Sequence, residues 1–142
     1  MNYRYQDAIN YRIQRLYRTY RRQIEEALTG LGLYPGQEHL LMHLWDEEGI
    51  SQSELVERLC VEPSTVTKSL QRLEKVGFVE RRPDAEDSRV SRVYLTPAGR
   101  DLQAPVQHIW CDLETTTIQG LSEVELALMP RILDQIDANL AE

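Results

Sequence analysis

No run of apolar residues in this chain of 142 approaches the roughly 18 that a membrane-crossing helix requires. The first twenty residues are broken up by arginine and tyrosine, so no signal peptide is expected. Cysteine is scarce. Cys60 and Cys111 are the only two, and without an export signal both thiols are expected to stay reduced, in the cytoplasm. Also missing are a glycine-rich phosphate loop, a nucleophile elbow, a metal-binding helix motif and a paired-carboxylate constellation. Neither an enzyme nor a cofactor is expected. What remains is an ordinary globular composition, 42% hydrophobic and 27% charged, in a chain sized for one domain.

The net charge of −7 at first argues against a polyanionic partner, but the charge is unevenly spread. Residues 64–100 hold eight Lys/Arg against five Asp/Glu, whereas residues 101–142 hold one against eight. Residues 1–26 are again basic, and 27–63 acidic. A basic patch on an acidic body suits a protein that meets phosphate with one face.

Within the basic segment, Pro63 suits the first position of a helix and Gly77 the left-handed residue that ends one. Val66, Leu70 and Leu73 fall at i, i+4 and i+7, one apolar stripe on a helix of about four turns. The other faces carry Ser64, Thr65, Thr67, Lys68, Gln71, Arg72 and Lys75. Hydroxyls, an amide and cations are the side chains that read base edges and hold phosphates. By itself such a face is more often a solvated one.

Its flanks change the reading. Upstream, Ser51-Gln52-Ser53-Glu54 is a capping box, with Ser51 as N-cap and Glu54 as its reciprocal partner. It opens a short helix ending near Cys60-Val61, and the pair makes a helix-turn-helix. Downstream, Phe78–Arg82 and Val90–Leu95 read as strands around the polar loop from Pro83 to Ser88. That hairpin is a wing with Asp87 and Arg89 at its tip.

These residues carry a resemblance. Ser64-Thr65-Val66-Thr67, Leu73-Glu74-Lys75-Val76-Gly77-Phe78-Val79-Glu80-Arg81, Asp87-Ser88-Arg89 and Leu95-Thr96-Pro97-Ala98-Gly99 resemble the signature of the multiple-antibiotic-resistance regulator (MarR) family of winged-helix transcription factors. Gly32-Leu33-Tyr34-Pro35-Gly36-Gln37 matches that family's entry into its second helix. The likeness runs residue by residue from about Leu31 to Gly99 and by pattern outside it. It implies a mainly α fold with a small β-hairpin wing (α+β). Residues 35–96 would form the winged helix-turn-helix lobe, and 1–34 with 97–142 a helical dimerisation region, within a single domain spanning 1–142.

Outside the lobe, Tyr5 to Leu28 reads as one long helix with Ile9, Ile13, Leu16, Tyr17, Tyr20 and Ile24 in stripe. Arg12, Arg15, Arg18, Arg21 and Arg22 lie mostly off it, as a solvated row facing acidic helices from the C-terminal region or as a DNA- or ligand-facing one. The five tyrosines of the first twenty residues are expected to pack a dimer core. A second helix, about Pro35 to Glu47, turns Leu40, Leu41, Leu44 and Trp45 inward. His39 and His43 stand at i and i+4 on it, a metal-sharing spacing. With His108 and Cys111 as the only other soft donors, no metal is expected, and the histidines read as a buried or half-exposed pair. Thr96 and Pro97 start another helix, in which Pro105 should force a kink or break. Ser122-Glu123-Val124-Glu125 is a second capping box. It opens a last helix with a broad apolar face, bent at Pro130. The terminal helices suit a two-fold, self-complementary dimer interface.

The resemblance implies a homodimer on a pseudo-palindromic double-stranded operator, acting as a repressor. Ser64, Thr65, Thr67, Lys68, Gln71 and Arg72 would enter the major groove, with Thr65 and Gln71 as base readers. Arg89 would enter the minor groove, Asp87 would orient an arginine, and Arg81, Arg82, Arg92, Ser51 and Ser53 would add phosphate contacts. Family members often bind small phenolic or carboxylic effectors, and Tyr17, Arg18, His39, His43 and Trp110 are candidates to line such a cleft. Redox control through Cys60 or Cys111 is the alternative; Cys60 is expected to point inward and be inert. A winged module that binds protein instead of DNA is the other, and Lys68, Arg72, Arg89 and Arg92 speak against it.

Overall fold

The computed structural model describes residues 4–141. After a 3-10 turn at Tyr5–Asp7, the helices are α1 (Ile9–Thr29), α2 (Gln37–Asp46), α3 (Gln52–Leu59), α4 (Pro63–Lys75), α5 (Pro97–Asp101), α6 (Gln103–Ile118) and α7 (Glu123–Ala141). The strands are β1 (Ile50–Ser51), β2 (Val79–Pro83) and β3 (Ser91–Leu95). They form one antiparallel sheet in the order β1-β3-β2. The mainly α, winged-helix expectation therefore holds.

Two compact units divide the chain, Met1–Ile109 and Trp110–Glu142. In the first, Leu40, Leu41 and Leu44 of α2, Leu55 of α3 and Val66, Leu70 and Leu73 of α4 close on Ile50, Val79, Val93 and Leu95 of the sheet. All eleven are buried, as are Ile24 and Leu28 at the end of α1. Burial of this kind stabilises by about 1.5–3 kcal/mol for each large aliphatic side chain, so the α4 stripe is what seats the helix. Pro63 occupies the first position of α4, and Gly77 past its end has φ 84°, as its lack of a Cβ permits.

Gly99 has a different reason. A methyl group there would stand 2.0 Å from the Phe78 carbonyl oxygen and 3.2 Å from Leu95 Cδ2. The same residue's N–H donates to Thr96 Oγ1 (3.1 Å), and its carbonyl accepts from Trp45 Nε1 (3.0 Å). Glycine lets α5 press onto the end of β3.

Several expectations need correction. The first helix begins at Ile9, not Tyr5, because residues 5–7 close a 3-10 turn, with Tyr5 edge-on to Tyr11. Its stripe is only partly inward: Ile9, Leu16 and Tyr17 are exposed, and Ile13 and Tyr20 half-buried. Tyr3 lies outside the described residues. The first capping box is half formed. Ser51 Oγ accepts from the Glu54 N–H (3.2 Å), but the Glu54 carboxylate turns to Arg58 (2.6 Å). Arg58 also reaches Glu47 (2.7 Å), so two acids hold it. The second box is complete, with Ser122 N–H to Glu125 (2.8 Å) and Glu125 N–H to Ser122 Oγ (3.3 Å). The expected break lies between α5 and α6, leaving Pro105 in the first turn of α6, where its missing N–H costs nothing. In the second unit, α7 runs continuously through Pro130. Val124, Leu128, Met129, Ile132, Leu133 and Leu140 are exposed along it.

Candidate nucleic-acid interface

The outer face of α4 is built by subtraction. With Val66, Leu70 and Leu73 taken inward, Ser64, Thr65, Lys68, Gln71 and Arg72 are left exposed. Among the described residues, Lys68 and Arg72 have no carboxylate partner. A helix of 13 residues at about 1.5 Å per residue is long enough to lay this face along a major groove.

Thr67 differs from its neighbours. It is half-buried, its hydroxyl donates to the Pro63 carbonyl (3.0 Å) and it accepts from Gln52 Nε2 (2.9 Å). Thr67 thus ties α4 to the first residue of α3. Gln52 escaped the sequence reading because its tie to Thr67 spans fifteen residues and two helices. Ser51 is half-buried as the α3 cap, and Ser53 is exposed beside it.

The wing's arginines divide into two half-buried ones held against the lobe and two exposed ones at its surface. Arg81 is half-buried, forked onto Glu74 of α4 through Nε (3.0 Å) and Nη2 (2.7 Å), while its N–H also reaches that carboxylate. The hydrogen bond from Arg81 holds the Glu74 carboxyl below its usual range. Arg92 is bound to Asp84 and donates to the Gly49 carbonyl (2.8 Å). Asp84 in turn accepts the N–H groups of Glu86 and Asp87 (both 3.1 Å), and Arg92 foremost lowers its carboxyl. Arg81 and Arg92 therefore each commit two guanidinium nitrogens inside the lobe. Arg82 pairs with Glu80 and lies over the Tyr94 ring, 4.5 Å from its centroid.

Arg89 stands at the tip with a side chain 89% exposed. Asp87 accepts from its Nε and Nη2 (both 3.0 Å) and its N–H (3.1 Å). The fork fixes the direction of the Arg89 guanidinium. Between the wing and α4 lies an open cleft of about 350 Å³ lined by Arg81, Arg82 and Arg89.

Two of the effector candidates share a cleft. His39 and His43 line a cleft of about 430 Å³ between α2, the end of α3 and the start of α4, with Arg58, Val61, Thr65 and Ser69. Tyr17 and Arg18 are exposed on α1 and do not line it, and Trp110 belongs to the second unit. No group of three or more metal-ligating side chains occurs among the described residues. Cys60 is exposed rather than inward. As the residue that ends α3 it takes φ 51°, which swings its side chain off the packed face. Cys111 is exposed as well.

A three-helix lobe whose last helix bares hydroxyls, an amide and free cations beside an arginine-tipped hairpin is a winged helix-turn-helix. Residues 33–91 match the model of the MarR family. The chain belongs to that family. It is 35% identical over 103 residues to the HTH-type transcriptional regulator TtmR of Methylorubrum extorquens, a match covering 72% of this chain and half of TtmR. It is 27% identical over 138 residues to the HTH-type transcriptional repressor IacR of Pseudomonas putida, covering 97% and 83%. The S. aureus MepR–DNA complex superposes with a TM-score of 0.85 over 93% of this chain and 98% of that one, at 24% identity, a likeness of fold. No described helix is long and apolar enough to cross a membrane.

Proposed function

We propose that this protein is a cytoplasmic, sequence-specific DNA-binding transcriptional repressor that grips a pseudo-palindromic operator as a homodimer. The observation that carries the reading is the division of cations. Arg81 and Arg92 are locked into the lobe, while Lys68, Arg72 and Arg89 project from one recognition helix and one wing tip. In this reading Ser64, Thr65, Lys68, Gln71 and Arg72 face the major groove and Arg89 the minor groove. Arg82, Ser53 and the cleft beside Arg89 take phosphates. Thr67 and Ser51 shape the surface more than they touch DNA. The exposed apolar residues of α1 and α7 supply the two-fold interface. A small anionic phenol or carboxylate in the cleft of His39, His43 and Arg58 would relieve binding by favouring a lobe arrangement the operator rejects.

The test is titration of purified protein against the DNA upstream of its own coding sequence and against a random DNA pool, over a range of salt. Tight binding that weakens steeply with salt is the expected outcome. A folded dimer that binds neither DNA at low salt refutes the reading and leaves a protein-binding winged module in its place.

A further inference from the structure

Most arginines of the lobe are oriented by carboxylates, and each such partner cancels charge and occupies donors. Arg81 has Glu74, Arg92 has Asp84, Arg100 has Glu48, and Arg58 has two acids. Arg72, near the end of α4, is oriented differently: its guanidinium carbon lies 5.4 Å from the centre of the Tyr34 ring. An aromatic face attracts a cation through its quadrupole at separations up to about 6 Å. It takes no hydrogen bond from the guanidinium and leaves its charge in place.

Tyr34 is well placed for that role. Its own N–H donates to the Gln37 side chain (2.9 Å), and its carbonyl accepts the Gln37 N–H (3.1 Å), so its backbone is fastened twice to the start of α2. Gln37 is buried, and so is the preceding Leu33. Pro35, next in the chain, confines Tyr34 to extended backbone. Yet the residue is 62% exposed, which for a large ring seated on so fixed a backbone is not explained by packing. The ring stands outside the core, against the one exposed arginine of the recognition helix.

We propose that Tyr34 is a positioning and specificity-determining residue for DNA reading, holding the Arg72 guanidinium in one direction while leaving all its donors free for a guanine edge. The inference rests on the DNA-binding function proposed above. It adds a residue from outside the helix-turn-helix to the reading surface. A carboxylate in the place of Tyr34 would orient Arg72 equally well and repel the phosphates that the surrounding cations attract.

The experiment uses the full chain. DNA selected from a random pool by the wild type is re-measured in competition against each single-base-pair variant, for wild type, Tyr34→Phe, Tyr34→Leu, Arg72→Ala and the Tyr34→Leu/Arg72→Ala double variant. Tyr34→Phe keeps the ring face and is expected to behave as wild type. Tyr34→Leu, of similar bulk, is expected to weaken binding by about two- to fivefold per half-site, the equivalent of one exposed cation–π contact. It should flatten discrimination at the same base pair that Arg72→Ala flattens, and change nothing further once Arg72 is gone. In the free protein, the Arg72 Nε–Hε resonance should lose its ring-current shift in Tyr34→Leu and keep it in Tyr34→Phe. A Tyr34→Leu profile identical to wild type, effects that multiply with Arg72→Ala, or a loss in Tyr34→Phe would each overturn the proposal while the regulator reading stands. A wild type that selects no sequence overturns both.

Discussion

Replacing Gly99 by alanine should strain the joint between α5 and the wing. The added carbon meets the Phe78 carbonyl oxygen at 2.0 Å and the carbonyl carbon at 3.0 Å, both backbone atoms that no rotamer change can move. That carbonyl already accepts the Thr96 N–H at 3.1 Å, and Gly99 itself is tied to Thr96 and Trp45. Relief therefore requires a shift of about an ångström in the segment that opens β2. Overpacking of this order costs about 1–3 kcal/mol. In a chain of this size, about 3 °C of melting temperature per kcal/mol gives a fall of roughly 3–9 °C. The control is Gly30→Ala. Gly30 already lies in the right-handed helical region, and a Cβ there comes no nearer than 3.4 Å to Ala27 O. It should be neutral or slightly stabilising. Calorimetric melts of the three proteins at one fixed concentration decide the matter, since association of subunits shifts an apparent midpoint. Gly99→Ala melting together with Gly30→Ala would refute the packing argument.

Arg89→Ala should weaken operator binding and lower the slope of log affinity against log salt by about one per half-site, without moving the melting temperature; an unchanged slope would remove Arg89 from the interface. The Glu74 carboxyl is held below its ordinary 4.5 by Arg81, so its contribution to stability is full above that pH and is lost as the pH falls through the lower folded value. The stability gap between wild type and Glu74→Gln, followed by denaturant midpoints, should accordingly narrow below about pH 4.5. A gap that widens there would be the wrong sign. Cys60→Gly should stabilise by about 1 kcal/mol, because φ 51° is left-handed and only glycine adopts it without a Cβ penalty; a destabilised variant would show that the thiol packs in a way its exposure denies.

The fold was legible wherever local chemistry decides it. Pro63 and Gly77 bracket α4 because a missing N–H and a left-handed φ each have one natural place in a helix. The three-residue apolar stripe of α4 buries as its spacing says it must. What the sequence withheld is long-range. Glu54 makes a correct capping pattern, but an arginine one turn on, itself shared with Glu47, outbids the Ser51 N–H for its carboxylate. Arg81 and Arg92 look like DNA contacts by residue type, and only the folded sheet shows Glu74 and Asp84 waiting for them. Cys60 reads as an inward residue by position, but as the helix-ending residue it leaves the helical periodicity that reading assumed. β1 is two residues long, too short for any alternation to announce it.

That short strand has a mechanical consequence. Ser51 caps α3 and lies opposite Arg92 in β3, while Arg92 clasps the Gly49 carbonyl on one side and the loop residue Asp84 on the other. The helix-turn-helix and the wing are thereby welded at their bases, like a calliper jaw ground from one piece. A jaw of that kind has a fixed gauge: the reach from the face of α4 to Arg89 is set by the chain, not by whatever occupies the clefts. Any control of such a tool would have to act on the whole jaw.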